Sequence, residues 1–227
     1  MNSARWMAGL ISLLVWSASC AADNSNYAAA VEYIRCLATT NDLQRNAKME
    51  VAKAKDPTST LMSSVRMSTK AKLEMAAMVA SLNQLEVTDD AGAFVRGLVD
   101  FQKQKIELNN QLIDIASKLL GDPNVAIDYG KLMAASAEIA ATIESIDEQI
   151  FKLANAFFAV MIDTRPDKQG HANRLKITRS QRAELLKLIA TRFGSSIDAK
   201  DKNWTVSGAW LIRSNLKKGF KASDEPA

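Results

Sequence analysis

From Val125 to Val160 the chain places an apolar residue every three or four positions: Val125, Tyr129, Leu132, Ser136, Ile139, Ile143, Ile146, Ile150, Leu153, Phe157 and Val160. This is a heptad seam on one long helix, with Ser136 its only polar member. A seam of that length left in water would aggregate, so the spacing demands other helices to cover it. Three earlier stretches have the same helical period. A first helix is expected from about Ser25 to Lys55, with Tyr27, Val31, Ile34 and Leu37 on its apolar face. Its later part (Asn41, Gln44, Arg45, Lys48) is polar nearly all round and is expected to reach past the core or to pack loosely.

Asp56-Pro57 ends that helix and starts the next, with aspartate as N-cap and proline at the first helical position. The second helix, about Pro57 to Leu85, has Leu61, Val65, Met75, Val79 and Leu82 along one side. A third opens at Thr88-Asp89-Asp90, whose carboxylates suit a positive helix N-terminus, and stops at Gly121. Its stripe runs Phe94, Leu98, Phe101, Leu108, Leu112, Ile115 and Leu119, with Lys105 the one polar member. Asp122-Pro123 restarts the chain so soon that the third and fourth helices become antiparallel neighbours. The expected fold is therefore all-α, an elongated up-down bundle of about four long helices over residues 23–163.

Past Asp163 the pattern changes. Arg165 to Gly170 is a breaker-rich linker, and Thr178 to Gln181 forms a capping box for a helix ending near Phe193-Gly194. A last helix is expected from about Val206 to Phe220. Residues 164–221 thus read as a small C-terminal helical module, and residues 222–227 as a disordered tail. Composition supports helix throughout, since the chain holds only 4 prolines and 9 glycines.

The N-terminus reads as an export signal over residues 1–22. Arg5 supplies the positive start, and no further charge appears before Asp23. The apolar run from Trp6 to Trp16 has the length of a signal core and falls short of a membrane span. Two cuts compete. Ser17-Ala18-Ser19-Cys20 resembles a bacterial lipobox, in which Cys20 would be lipidated and become the first mature residue, although Ser17 departs from the usual aliphatic side chain. Cleavage after Ala22 would instead release a soluble chain from Asp23. Either cut leaves Cys36 as a lone thiol, so no disulfide framework is expected and stability must come from core burial. The expected location is the periplasm, or the outer membrane if Cys20 is the anchor, in a bacterial envelope.

Charge is strongly uneven along the chain. Residues 89–163 carry six basic and twelve acidic side chains, whereas residues 165–221 carry fourteen basic and four acidic. The anion-binding candidates in this basic third are Arg174, Lys176, Arg179, Arg182, Arg213, Lys217 and Lys218, interleaved with Trp204, Trp210 and Phe220. Export makes an anionic membrane or cell-wall polymer the matching partner, and no nucleic acid is expected. A competing explanation is that these charges fold against the acidic body.

Catalytic signatures are missing from the sequence. The lone histidine, His171, sits in the linker, which excludes a di-iron bundle pattern and any multi-histidine zinc site. No nucleophile elbow, phosphate loop or dinucleotide fingerprint occurs. Glu144, Asp147 and Glu148 read as a solvated helix face, and the methionines, including Met62, Met67, Met75 and Met78, as adaptable core filling. With no cofactor, metal or catalytic residue expected, the sequence points to a non-enzymatic envelope protein. It would be a structural or partner-binding module, pairing with another protein or with itself through helical faces. The alternative function is anion binding by the basic segment.

Overall fold

The computed structural model describes residues 3–121, 129–162, 177–194 and 204–218. It is all-helical, as the sequence pattern requires: α1 (Ser3–Lys53), α2 (Pro57–Asn83), α3 (Asp89–Gly121), α4 (Tyr129–Ile162), α5 (Arg179–Phe193) and α6 (Trp204–Lys218). Among the described residues, no helix is long and apolar enough to cross a membrane. The first helix begins earlier than its apolar face suggested. No proline precedes Pro57, so nothing interrupts the helix between the N-terminal apolar run and the body. The Asp122-Pro123 restart, the linker after Asp163 and the tail lie outside the described residues.

The expected Asp56 N-cap forms, as a full capping box with Ser59, and so does the expected Thr178–Gln181 box. The Asp56 carboxylate accepts from the Ser59 backbone N–H at 2.8 Å, and the Ser59 hydroxyl accepts from the Asp56 N–H at 3.1 Å. These bonds to Ser59 hold the Asp56 carboxyl below its usual pKa. At α5, the Gln181 N–H reaches the Thr178 hydroxyl at 3.2 Å, and the Thr178 N–H reaches the Gln181 side chain at 2.8 Å. Gly194, with φ 57°, ends α5 in backbone space that favours glycine.

Cross-helix pairs set the directions of the first four helices. Arg66 meets Glu50 at 3.3 Å while Ser25 meets the Glu86 carbonyl at 3.4 Å, so α2 runs back along α1. Phe94 stacks on Phe157, and Lys105, further along α3, meets Asp147, which lies earlier on α4. That order makes α3 and α4 antiparallel. At 1.5 Å per residue, the 34 residues of α4 span about 51 Å.

Packing is dense at one end and open at the other. At the closed end, Tyr33, Phe94, Phe157 and Phe158 form an aromatic cluster, with centroids 4.2 Å apart for the stacked Phe94–Phe157 pair. Here α3 and α4 approach so closely that a β-carbon on Gly97 would lie 2.7 Å from Leu153 Cδ2. The C-terminal helices complete this end. Leu185, Ile189 and Phe193 of α5, with Ala209, Ile212 and Leu216 of α6, belong to the same apolar core as Leu37, Leu98 and Ile150. Gly208 brings α6 against Leu37 of α1 and Phe151 of α4. One core therefore runs from the first four helices into the basic segment, and the contact between them is largely apolar.

Toward the other end the four helices lose this cover. Beyond Leu43 no residue of α1 is buried, in keeping with its polar later half. The α4 seam divides likewise: Ile146, Ile150 and Phe157 are buried, whereas Leu132, Ser136, Ile139 and Ile143 are only partly so.

Candidate functional site

The transition between the two ends is marked by a polar layer inside the bundle. Lys105 is the position where a cation interrupts the α3 stripe, and its Nζ lies 2.5 Å from Asp147 Oδ1 on α4. Both side chains are nearly fully enclosed, at 2% and 7% exposure. Burial pushes the Asp147 carboxyl above its ordinary pKa, and the Lys105 ammonium opposes that rise. One turn further along α3, the Asn109 side chain donates to the Lys105 carbonyl at 2.8 Å and lies 3.9 Å from Met75 Sδ of α2. The Thr40 hydroxyl of α1 donates back to the Cys36 carbonyl at 2.9 Å. Four helices thus each contribute to one layer.

Behind the ion pair lies a small cavity of about 10 Å³, the scale of a single water. Tyr33 OH and Gln102 Oε1 line it, both buried without a protein partner among the described residues. They supply one donor and one acceptor. Cys36 borders the same space, and burial pushes its thiol up to about 12. A thiol so shifted is a packing group and not a nucleophile at neutral pH.

In front of the ion pair the bundle opens. A groove of about 210 Å³ is floored by Lys105, Asn109 and Asp147 and walled by Leu43, Met67 and Ile143. It shares Ala47, Met67 and Ser68 with an outer groove of about 510 Å³, which takes wall residues from all four long helices. Small side chains such as Ala47, Ser68, Ala116, Ser136 and Ala140 create the space, because they leave room that larger seam residues would fill. Val51 and Met133, both largely exposed, stand at its walls, with Met62 and Leu120 exposed on the same half of the bundle. Flexible methionine thioethers on such a surface adapt to different apolar shapes. Met62 and Met67 therefore differ from Met75 and Met78, which are buried as core filling.

The residues singled out in the sequence fall elsewhere. Cys20 lies on α1 ahead of the bundle body. Arg174, Lys176 and His171 lie outside the described residues. Arg179 opens α5 and Lys218 ends α6. Arg182 reaches back to α6, donating to the Leu216 carbonyl and, at 3.4 Å, to the Lys217 carbonyl, so that a cation sits at the negative helix end. Arg213 and Lys217 line a shallow depression with Trp210 and Ser214. Glu144 and Glu148 face solvent, while Asp147 between them turns inward to Lys105. That ion pair is what the sequence reading missed. Its one signal was a lysine inside an apolar stripe, which asks for a buried acid on the facing helix. Among the described residues no cluster of acids, histidines or cysteines could hold a metal ion.

No family model, no curated protein and no solved structure matches the chain.

Proposed function

We propose that this protein is an exported, non-enzymatic helical module of the bacterial envelope, released after Ala22 or tethered at Cys20, that holds an apolar segment of a partner protein in the open end of its bundle. The observation that carries this reading is the groove: about 510 Å³ of apolar-lined space between four helices, with exposed methionine and valine at its edge. An apolar opening of this size on an otherwise packed bundle marks a recognition surface, and an amphipathic helix is the shape that fits between parallel helical walls. The Lys105–Asp147 pair floors the smaller adjoining groove, each charge neutralising the other, so it offers no free acid or base there.

A photo-crosslinking side chain at Met133 tests the reading in the native envelope. A discrete protein adduct is expected, lost when Ala140→Trp fills the groove and unaffected in folded helix content. The same crosslinker at solvent-facing Glu148 serves as control. An adduct that survives Ala140→Trp, or equal adducts from both positions, refutes the groove as the binding site. An adduct of twice the chain mass identifies the partner as a second copy.

A further inference from the structure

We propose that the outward face of α6, built from Trp210, Arg213, Ser214 and Lys217, is a contact surface for a bilayer carrying anionic lipid, and that it lies at the end of the bundle from which α1 leads back to Cys20. The proposal goes beyond the groove and rests on the export reading only for which membrane is met.

Four positions at steps of three, one and three fall on one stripe of a helix, and together they line a depression of about 330 Å³. The other side of the helix, Ala209, Ile212 and Leu216, is buried in the common core. α6 is thus seated by its apolar side, and the Trp210 face is held outward. Trp210 is 38% exposed and lines the depression together with two cations. An indole beside basic side chains suits the headgroup region, where one part of the ring meets hydrocarbon and its N–H meets water. The carbonyls at the end of α6 are already served by Arg182, so helix capping does not account for Arg213 and Lys217.

Position within the fold adds a second argument. Arg182 ties the end of α6 to the start of α5, and two residues on, Glu184 accepts a hydrogen bond from Tyr27 at 2.5 Å. Tyr27 stands seven residues after Cys20 on the same helix, about 10 Å along its axis. A lipid at Cys20 and the α6 face would therefore meet the same surface. The open groove lies toward the opposite end, directed away from that surface.

The test uses the full chain with Cys20→Ala and Ser214→Cys, labelled at position 214 with an environment-sensitive fluorophore; Cys36 is too buried to compete. Vesicles with about one third phosphatidylglycerol in phosphatidylcholine should shift the emission to the blue, and salt above about 0.5 M should reverse the shift. At about fivefold per basic side chain, Arg213→Glu with Lys217→Glu should raise the vesicle concentration needed by at least about 25-fold. The same label at Leu120→Cys, on the open half, should stay unshifted. No shift at position 214 with anionic vesicles, or an equal shift in the doubly reversed chain, overturns the proposal. A shift with peptidoglycan fragments but not with vesicles also overturns it and assigns the face to wall polymer. Leader cleavage is scored separately by the mass of the chain recovered from cells, so failure of the export reading stays distinguishable from failure of the membrane contact.

Discussion

Lys105→Met removes one member of an ion pair whose side chains are 2% and 7% exposed and whose charged atoms stand 2.5 Å apart. Leaving a buried charge without its partner costs about 3–5 kcal/mol, a large fraction of a typical domain's stability. The cost should depend on pH in a defined direction. Burial already raises the Asp147 pKa despite the attraction of Lys105. A carboxyl raised in the folded state contributes stability that is fully present below its unfolded value and is lost as pH rises through the folded value. Without Lys105 the folded value climbs further, so the ionised carboxylate is penalised most near neutral pH and the neutral acid is tolerated as pH falls. Urea unfolding followed by helical ellipticity, at about pH 7 and about pH 4.5, should show the variant deficit shrinking at the lower pH. The double variant Lys105→Met with Asp147→Leu should recover most of the loss, because two apolar side chains replace two desolvated charges. A deficit under about 1 kcal/mol at neutral pH, or one that is equal at both pH values, would refute a buried, mutually dependent pair.

Three further outcomes follow from the packing. In a Cys20→Ala chain, Cys36 should resist iodoacetamide at about pH 8 until urea unfolds the protein, since a thiol pushed up to about 12 is ionised in roughly one molecule in ten thousand; modification at the rate of a free thiol would contradict its burial. Leu185→Ala or Leu216→Ala, each at a fully buried position, should cost about 2–5 kcal/mol and shift one cooperative melting transition. Separate loss of a small part of the helical signal would show instead that α5 and α6 melt independently. Gly208→Ala should be neutral or stabilising by up to about 1 kcal/mol, because its β-carbon meets Leu37 at an ordinary 3.5 Å. Gly97→Leu should destabilise by about 1–3 kcal/mol or more, since even a β-carbon there lies 2.7 Å from Leu153. Thermal melts rank the two glycine variants, and the reverse order would mean that α3 and α4 do not meet at Gly97.

The helices and several of their ends were legible in the sequence. Apolar spacing depends only on the 3.6-residue period, and caps such as Asp56 and Thr178 act within three residues, so neither needs knowledge of distant contacts. Other features depended on which surfaces meet. The seam is apolar from Leu132 to Phe157 apart from Ser136, yet among its described side chains the buried ones fall between Ile146 and Phe157, because α5 and α6 cover that end. The groove exists where small residues from four separate helices converge, a coincidence no single helix reveals.

The same division holds for charge. Sequence alone established that the last third is basic, and it marked Lys105 as the cation within an apolar stripe. Tertiary structure decided their separate uses. Lys105 turns inward because Asp147 faces it across the α3–α4 contact, whereas Arg182 turns to the carbonyls that end α6. Trp210, Arg213 and Lys217 become a face because the other side of α6 is committed to the core. Local pattern determines what a helix can bury, since it is written in one segment. What the helix does bury, and which charges remain outside, depends on partners brought together only by folding.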